Sequence, residues 1–375
     1  MLIHGRLVTP DGVLEHGRLT IDRDTITAVE AVRDTDTDTE AGTAAATGWI
    51  VPGFVDIHHH GGGGHTVTTG DADATRRAAA FHLAHGTTTL LASLVSSPVE
   101  LMRHAVTAYA PLVGDGTLAG LHFEGPYLST VRCGAQNPAY LRDPDPAELA
   151  ALLDLGAGSI RMVTLAPERT GALAAIARLV DAGVVAAIGH TDASYDQTRA
   201  AIDAGASVGT HVFNGMRPPH HREPGPVFAL LGNARVVCEL VADGVHLHDG
   251  TLAFAASVTG PHRAALITDA MAAAGMPDGG YELGGQPVVV ADSVARLARD
   301  SSIAGSTLTM DAALRRAVAA GIDIVAAAAM AATTPAAAIG LAGTVGALAP
   351  GLRADLVELD DDLRVRRVLR AGAWV

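Results

Sequence analysis

The chain has 375 residues, a formal net charge of −14 at pH 7 and a hydrophobic content of 49%. This length can supply one large domain and a small one, and the hydrophobic content excludes a disordered chain. The acidic balance argues against a nucleic-acid partner, because a phosphate backbone requires a basic face. All 26 basic residues are arginine, so no lysine can bridge metal ions.

The cysteine content and the N-terminal residues indicate the cellular compartment of the protein. Cys133 and Cys238 are too few for a disulfide framework, which favours a reducing compartment. The sequence opens without a basic segment followed by an apolar stretch, so no signal peptide is expected. The most apolar run, 324–332, is too short to span a bilayer. These features predict a cytoplasmic protein that has no membrane partner.

The two ends of the chain have the alternating pattern of β-strands. Short strands are predicted from about residue 2 to residue 30, and the polar stretch RDTDTDTEAGT separates them from the next apolar run. The last residues, ADLVELDDDLRVRRVLRAGAWV, alternate in the same way. We therefore expect a small β-sandwich domain that is assembled from residues 1–50 and 345–375.

The middle of the chain alternates apolar strands with alanine-rich helices. Eight strand-like runs, from IVPGFVDI to AALIT, are separated mostly by helix-like runs such as 72–85, 172–182 and 196–204. This alternation favours a (β/α)8 barrel over residues 51–344. An open doubly wound sheet is the alternative, but no glycine-rich dinucleotide fingerprint follows any strand. The segment 275–302 is long for a barrel connection and predicts an inserted loop that carries a hairpin.

Polar residues follow the predicted strands at their carboxyl ends, where barrel enzymes place their chemistry. Strand alternation puts the side chains of His58 and His60 on one face and that of His59 on the other. Any one of these polar residues alone is more simply explained as a structural residue. Six of them at predicted strand ends are not explained by coincidence and indicate a common site. The residues are His58, His60, Glu124, His190, His211 and Asp269.

Imidazole and carboxylate ligands suit zinc, iron or another first-row divalent ion. His58 and His60 with Glu124 could hold one ion, and Glu124 with His190 and His211 could hold a second. Glu124 would then be a bridging carboxylate. A bound ion lowers the pKa of its water to about 7, and Asp269 could take that proton and return it to a leaving nitrogen. The set predicts a hydrolase.

A group of longer motifs resembles the amidohydrolase superfamily and, within it, the N-acetylglucosamine-6-phosphate deacetylases. The resemblance covers essentially the whole chain, and a glutamate from the third strand in HFEGP is characteristic of this deacetylase branch. The motifs are PGFVDIHHHGGGG, HFEGPYLS, GHTDA, THVFNGM, REPG, VADGVHL, LITDAM and AGSTLTM. The resemblance implies that the acetamido group of an amino-sugar 6-phosphate is hydrolysed to acetate and glucosamine 6-phosphate. It also suggests a homodimer, in which a partner residue could lie near the phosphate.

The resemblance implies further site residues. Arg222 of REPG and His246 of VADGVHL would bind the sugar phosphate, and Asn214 and Gly215 of FNGM would assist. Gln136 stands where family members often carry a histidine near the substrate carbonyl, and glutamine can donate a hydrogen bond but cannot carry a proton. Two alternatives remain open: an amidohydrolase that acts on another N-acylated or cyclic amide, and an inactive scaffold that binds partners.

Overall fold

The structure, a computed structural model, describes residues 1–32 and 48–375. The polar stretch RDTDTDTEAGT, residues 33–43, lies outside these residues. Within them the strands are β1 Leu2–Thr9, β2 Gly12–Asp22, β3 Thr25–Ala31, β4 Trp49–Pro52, β5 Phe54–Asp56, β6 Gly61–Gly62, β7 His65–Thr66, β8 Thr87–Val95, β9 Gly120–Glu124, β10 Ile160–Leu165, β11 Val185–Ile188, β12 Val208–Gly209, β13 Val237–Val241, β14 Ala264–Ile267, β15 Gly279–Leu283, β16 Gln286–Ala291, β17 Val294–Leu297, β18 Leu356–Leu359, β19 Val365–Arg370 and β20 Ala373–Trp374.

Helices follow most of the central strands in the same described ranges. They are α1 Ala72–Ala84, α2 Val99–Gly114, α3 Pro146–Gly156, α4 Ala172–Asp181, α5 Tyr195–Asp203, α6 Gly225–Leu231, α7 Asp249–Thr259, α8 Met310–Ala319, α9 Ile324–Ala328 and α10 Thr334–Ala338, with a 3₁₀ turn at Pro138–Tyr140 and a π-helical turn at Ala329–Thr333. No helix of the described chain is long and apolar enough to cross a membrane.

The central sheet is a (β/α)8 barrel, as the alternation of strands and helices predicts. In the described part of the chain its eight strands run in the order β5-β8-β9-β10-β11-β12-β13-β14, and the neighbouring strands pair in parallel. The barrel closes just beyond β5 and β14, where Asp269 N donates to His58 O at 2.9 Å and His60 N donates to Ala270 O at 2.7 Å. All nine residues of β8 are buried, as expected of a parallel strand that is covered on both faces.

Both chain ends contribute to a second sheet. Its seven strands, counted over the described residues, run in the order β20-β19-β18-β4-β1-β2-β3. This sheet encloses a hydrophobic core of its own, which includes Leu7, Leu19, Ile26, Ile50 and Leu356. A small β domain formed from both chain ends is therefore confirmed. The division at residues 1–50, 51–344 and 345–375 stays a prediction, and β4 crosses its first boundary.

The run IVPGFVDI, expected as one strand, is divided at Gly53. The residues before it pair with β1 and β18 of the small sheet, and those after it pair with β8 of the barrel. Gly53 N donates to Asp355 O at 2.9 Å. A Cβ atom added at Gly53 would lie 2.4 Å from Thr88 Oγ1 and 2.9 Å from Asp355 Cβ. Only a glycine fits where the two sheets meet.

The segment 275–302 carries the expected hairpin, extended to three antiparallel strands. In this sheet β16 pairs with both β15 and β17. Its inner side chains form a small hydrophobic cluster with Val95 and Met271 of the barrel. The insertion is therefore packed onto the carboxyl-terminal face of the barrel, beside the residues that the sequence singles out.

Substitution of Gly53 tests this junction. Gly53→Ala forces a methyl group against Thr88 and Asp355, and such overpacking costs about 1–3 kcal/mol of unfolding free energy. Denaturant unfolding should show this loss. Gly343→Ala is the matched control, because a Cβ atom at Gly343 meets nothing within 4 Å. Equal stability of the two variants would show that the sheets do not require glycine at their junction.

Candidate metal centre and active site

The six polar residues predicted at strand ends converge at the carboxyl-terminal face of the barrel. Their nitrogen and oxygen atoms form two groups, in each of which the ligand atoms lie within 4.8 Å of one another. All six residues are buried. The first group is His58, His60 and Asp269, and the second is Glu124, His190 and His211.

Glu124 connects the two groups through its two carboxylate oxygens. Oε1 lies 3.0 Å from His190 Nε2 and 2.9 Å from His211 Nε2. Oε2 lies 3.3 Å from His60 Nε2, and Oε1 lies 3.6 Å from His58 Nε2. The carboxylate therefore faces ligands of both groups, which is the arrangement that a bridging carboxylate requires. The sequence predicted Glu124 as a ligand in both groups. The structure adds Asp269 to the first group, where its Oδ1 lies 3.1 Å from His60 Nε2.

The histidine rings are held from outside the cluster. Three of them bond through Nδ1 to an oxygen: His58 to Glu239 Oε2 at 3.0 Å, His60 to Ser93 O at 2.9 Å and His190 to Arg132 O at 2.9 Å. Because these oxygens accept, each Nδ1 donates its N–H, and the neutral ring then has its lone pair on Nε2. These lone pairs all point into the cluster.

The converging lone pairs show that the donor set fits metal ions. His58 Nε2 lies 3.2 Å from His60 Nε2, and His190 Nε2 lies 3.2 Å from His211 Nε2. In the first pair both Nδ1 atoms donate, so the two Nε2 lone pairs face each other and repel unless a proton or a cation lies between them. Nitrogen and carboxylate ligands in this number are typical of zinc and other first-row ions.

The buried carboxylates change the proton affinity of these rings. Burial alone would lower the pKa of His58 and His60, but Glu239 and Glu124 raise the pKa of His58 well above its ordinary value. Asp269 and Glu124 raise the pKa of His60 to about 9. Despite their burial, the neighbouring histidines hold the pKa of Glu124 and Asp269 well below the ordinary range. The carboxylates are therefore ionised, and protons or metal ions balance their charge.

Three of the six residues have a left-handed backbone. The φ angles are 46° at His190, 25° at His211 and 50° at Asp269. Residues other than glycine seldom adopt this conformation, although histidine and aspartate adopt it more often than most. In each case the residue follows a barrel strand, and its side chain joins the other ligands of its group.

The substrate-binding residues expected from the sequence fall into two sets. A cavity of about 270 Å³ lies over the cluster and is lined by Gln136, Asn214, Gly215 and His246, together with residues of the inserted loop such as Leu283. Arg222 does not line this cavity; it is exposed, and its Nη1 lies 2.7 Å from His221 Nε2.

Two of the lining residues have defined partners. His246 Nδ1 lies 2.6 Å from Asp243 Oδ2, and its Nε2 lies 3.7 Å from Asp269 Oδ2. Burial would lower the pKa of His246, but Asp243 raises it. Gln136 Nε2 donates to Glu124 Oε2 at 2.6 Å. His246 thus lies beside Asp269, the predicted catalytic carboxylate. Gln136 bonds to Glu124, the predicted bridging carboxylate.

Glu239 is the functional residue that the sequence reading missed. It is fully buried on β13, and its Oε2 accepts from His58 Nδ1 at 3.0 Å and from His211 N at 3.1 Å. One oxygen therefore orients a ring of the first group and the backbone of a ligand of the second. The sequence did contain a signal for this residue, namely a carboxylate inside the apolar run RVVCEL. Charged side chains are almost never buried without a partner, so this position indicates a buried and paired carboxylate.

Comparison with known proteins agrees with this geometry. Residues 49–375 match the model of the amidohydrolase family. The chain belongs to this family. The matched residues include His58 and His60, which follow β5 of the barrel.

Three relatives are similar over 82–100% of this chain. In a solved structure of an aspartate-to-alanine mutant of N-acetyl-D-glucosamine-6-phosphate deacetylase from Mycobacterium smegmatis, in complex with N-acetyl-D-glucosamine-6-phosphate, the fold is similar at a TM-score of 0.95, with 49% identity over 100% of this chain and 98% of that one. N-acetylgalactosamine-6-phosphate deacetylase from Escherichia coli O157:H7 is 38% identical over 98% of this chain and 97% of its own. N-acetylglucosamine-6-phosphate deacetylase from Bacillus subtilis (strain 168) is 34% identical over 82% and 80%.

The role of Glu239 can be tested through metal affinity. Glu239→Gln keeps the shape of the side chain but removes the charge that fixes the His58 ring, and loss of such an outer partner typically lowers metal affinity about 10–100-fold. Competition with a chromophoric chelator measures this change. Glu358→Gln is the matched control, since Glu358 is also a buried acid but pairs with Arg367 in the small sheet. An equal affinity for both variants would contradict the orienting role.

Proposed function

We propose that this amidohydrolase removes the acetyl group of N-acetylglucosamine 6-phosphate and yields acetate and glucosamine 6-phosphate. The observation that carries the proposal is Glu124, whose carboxylate lies between two pairs of histidines under a cavity lined by polar groups. The relative of 49% identity, seen in complex with this sugar phosphate, supports the choice of substrate. Cysteine usage supports a cytoplasmic location.

We propose two divalent ions for each chain, zinc or iron. His58 and His60 with Asp269 would hold the first, His190 and His211 would hold the second, and Glu124 would bridge them. When bound, such ions polarise the amide carbonyl and lower the pKa of water to about 7. The distances among the side chains support this assignment, because the ligand atoms of each group lie within 4.8 Å of one another.

Asp269 is the residue that we propose to move the proton. Its Oδ1 lies 3.1 Å from His60 Nε2, and its Oδ2 lies 3.7 Å from His246 Nε2, at the floor of the cavity. An ionised carboxylate can accept the proton of the attacking water and then deliver it to the amide nitrogen. This delivery matters because an amine leaves poorly unless it is protonated.

The remaining residues would bind the sugar phosphate. Asn214, Gly215 and His246 line the cavity, and the raised pKa of His246 favours a positive ring that suits an anionic phosphate. Arg222 is exposed outside the cavity of its own chain. We propose a homodimer in which this guanidinium reaches the phosphate in the neighbouring subunit, since a planar fork of donors fits phosphate oxygens.

A second substrate is favoured by one comparison. The relative from Escherichia coli O157:H7, which is similar over 98% of this chain, is an N-acetylgalactosamine-6-phosphate deacetylase. The two sugars differ only in the orientation of the hydroxyl group at C4, whereas the acetamido group on C2 and the phosphate on O6 are the same in both. The cluster and the phosphate-binding groups would treat them alike, so N-acetylgalactosamine 6-phosphate is the alternative substrate.

Acetate release from a small panel of sugars tests the substrate. Loss of two charge-assisted hydrogen bonds, each about 1.5 kcal/mol, should reduce kcat/KM for N-acetylglucosamine at least about a hundredfold relative to its 6-phosphate. N-acetylgalactosamine 6-phosphate in the same panel decides between the two sugars. Equal activity on the phosphorylated and unphosphorylated sugar would contradict the phosphate site.

Asp269→Asn tests the proton transfer. Asparagine keeps the shape and one oxygen ligand but cannot accept the proton, so turnover should fall at least about a hundredfold. Metal content and substrate affinity, measured by elemental analysis and by calorimetric binding, should stay near those of the unsubstituted protein. Near-normal turnover with normal metal content would assign the proton transfer to another group.

A further inference from the structure

A loop segment lines the cavity beside the two groups of ligand residues. We call residues 129–137 the strap. Its start is tied to the barrel, because Ser129 N donates to His190 O at 2.9 Å, and Arg132 Nε bonds to Asp192 Oδ1 at 2.8 Å. Its far end is tied to the inserted loop, because Gln286 donates to Ala135 O and Arg299 Nη2 donates to Gly134 O at 3.3 Å.

Gln136 is the strap residue that reaches down to the cluster. Its side chain is buried, with 2% of the residue exposed. Ser96 N donates to Gln136 Oε1 at 2.7 Å, and Gln136 Nε2 donates to Glu124 Oε2 at 2.6 Å. The orientation of the amide is unambiguous, because a backbone N–H can only donate and an ionised carboxylate can only accept.

This contact acts on the side chain that connects the two groups of ligands. Glu124 Oε1 faces His190 and His211, whereas Oε2 faces His60 and Gln136. The terminal torsion of a glutamate is broad, so the carboxylate plane has no strong intrinsic orientation. A hydrogen bond from a fixed donor to Oε2 therefore acts with the two contacts at Oε1 to fix how the oxygens are divided between the groups.

We propose that Gln136 is a positioning residue that sets the orientation of the Glu124 carboxylate. It thereby sets the affinity of both groups of ligand residues for metal ions. The proposal rests on the metal-dependent function proposed above. Gln136 is itself fixed by the Ser96 backbone between β8 and α2 and by the ties of the strap, so the strap and the cluster form one unit. An amide suits this role because it does not titrate, and its donor is present at every pH.

The two hydrogen bonds of Gln136 also limit how its side chain can contact the substrate. One N–H of its amide is committed to Glu124, and its oxygen is committed to Ser96. The second N–H of the same nitrogen remains for a ligand in the cavity that Gln136 lines. A substrate contact of Gln136 is therefore an addition to the contact with Glu124 and does not replace it.

Zinc titration of the metal-free protein tests the proposal without any substrate. Gln136→Met keeps the length of the side chain but removes both hydrogen bonds. Loss of an outer partner of this kind lowers metal affinity about 10–100-fold. We therefore expect zinc affinity, measured by competition with a chromophoric chelator, to fall at least about fivefold. At saturating zinc, kcat should fall while KM changes little.

Two further variants make the result decisive. Gln136→Ala cannot clash and carries the same test if the methionine variant does not fold. Gln197→Met is the matched control, since Gln197 bonds to the backbone of Ser194 at the start of α5 and touches no ligand. Its zinc affinity should equal that of the unsubstituted protein.

Several results would overturn the positioning role. A loss of zinc affinity below fivefold together with a raised KM would make Gln136 a substrate contact only. An equal loss of thermal stability in the metal-free form and the zinc form would make it a structural residue. Failure of the unsubstituted protein to bind either zinc or ferrous iron would overturn this proposal and the proposed function together. Equal zinc affinity of Gln136→Met and the unsubstituted protein would overturn this proposal alone.

Discussion

The site depends on one constraint: a buried carboxylate, Glu124, must be shared among four imidazole rings. Its two oxygens are within 3.6 Å of Nε2 atoms on His58, His60, His190 and His211. A negative charge is costly to bury unless cations surround it. The fold meets this requirement by bringing ligands from five different strand ends to the same face of a closed barrel.

Surrounding residues keep the rings aimed at this carboxylate. Glu239, the Ser93 carbonyl and the Arg132 carbonyl each fix one ring through Nδ1. These partners come from β13, from β8 and from the strap, so elements far apart in sequence depend on one another at the cluster. A change in any of them is expected to act on metal affinity first and on turnover through it.

Much of this architecture could be predicted from the sequence. The alternation of apolar runs with alanine-rich helices predicted the barrel, and polar residues at the ends of those runs predicted all six members of the cluster. The split of IVPGFVDI at Gly53 was not predictable, because one continuous apolar run looks the same whether it serves one sheet or two. Pairing with β1 and β18 at one end and with β8 at the other decides it.

The contacts of individual side chains were harder to predict from the sequence. Gln136 looked like a substrate ligand, and only the structure shows that its amide bonds to Glu124. Asp269 looked like a proton carrier alone, yet it also lies within reach of His60. Periodicity places a residue at a strand end, but the direction of its side chain depends on the turn that follows. The turns at His190 and Asp269 have a left-handed backbone, which the sequence pattern does not predict.

Elemental analysis of Glu124→Gln tests the shared carboxylate most directly. The variant should be purified beside the unsubstituted protein under the same metal supply, with unfolding measured to show that both are folded. Because one negative charge serves both groups of ligands, removal of that charge should lower the occupancy of both ions together, from two for each chain toward none. Full occupancy of two ions in Glu124→Gln would contradict the account.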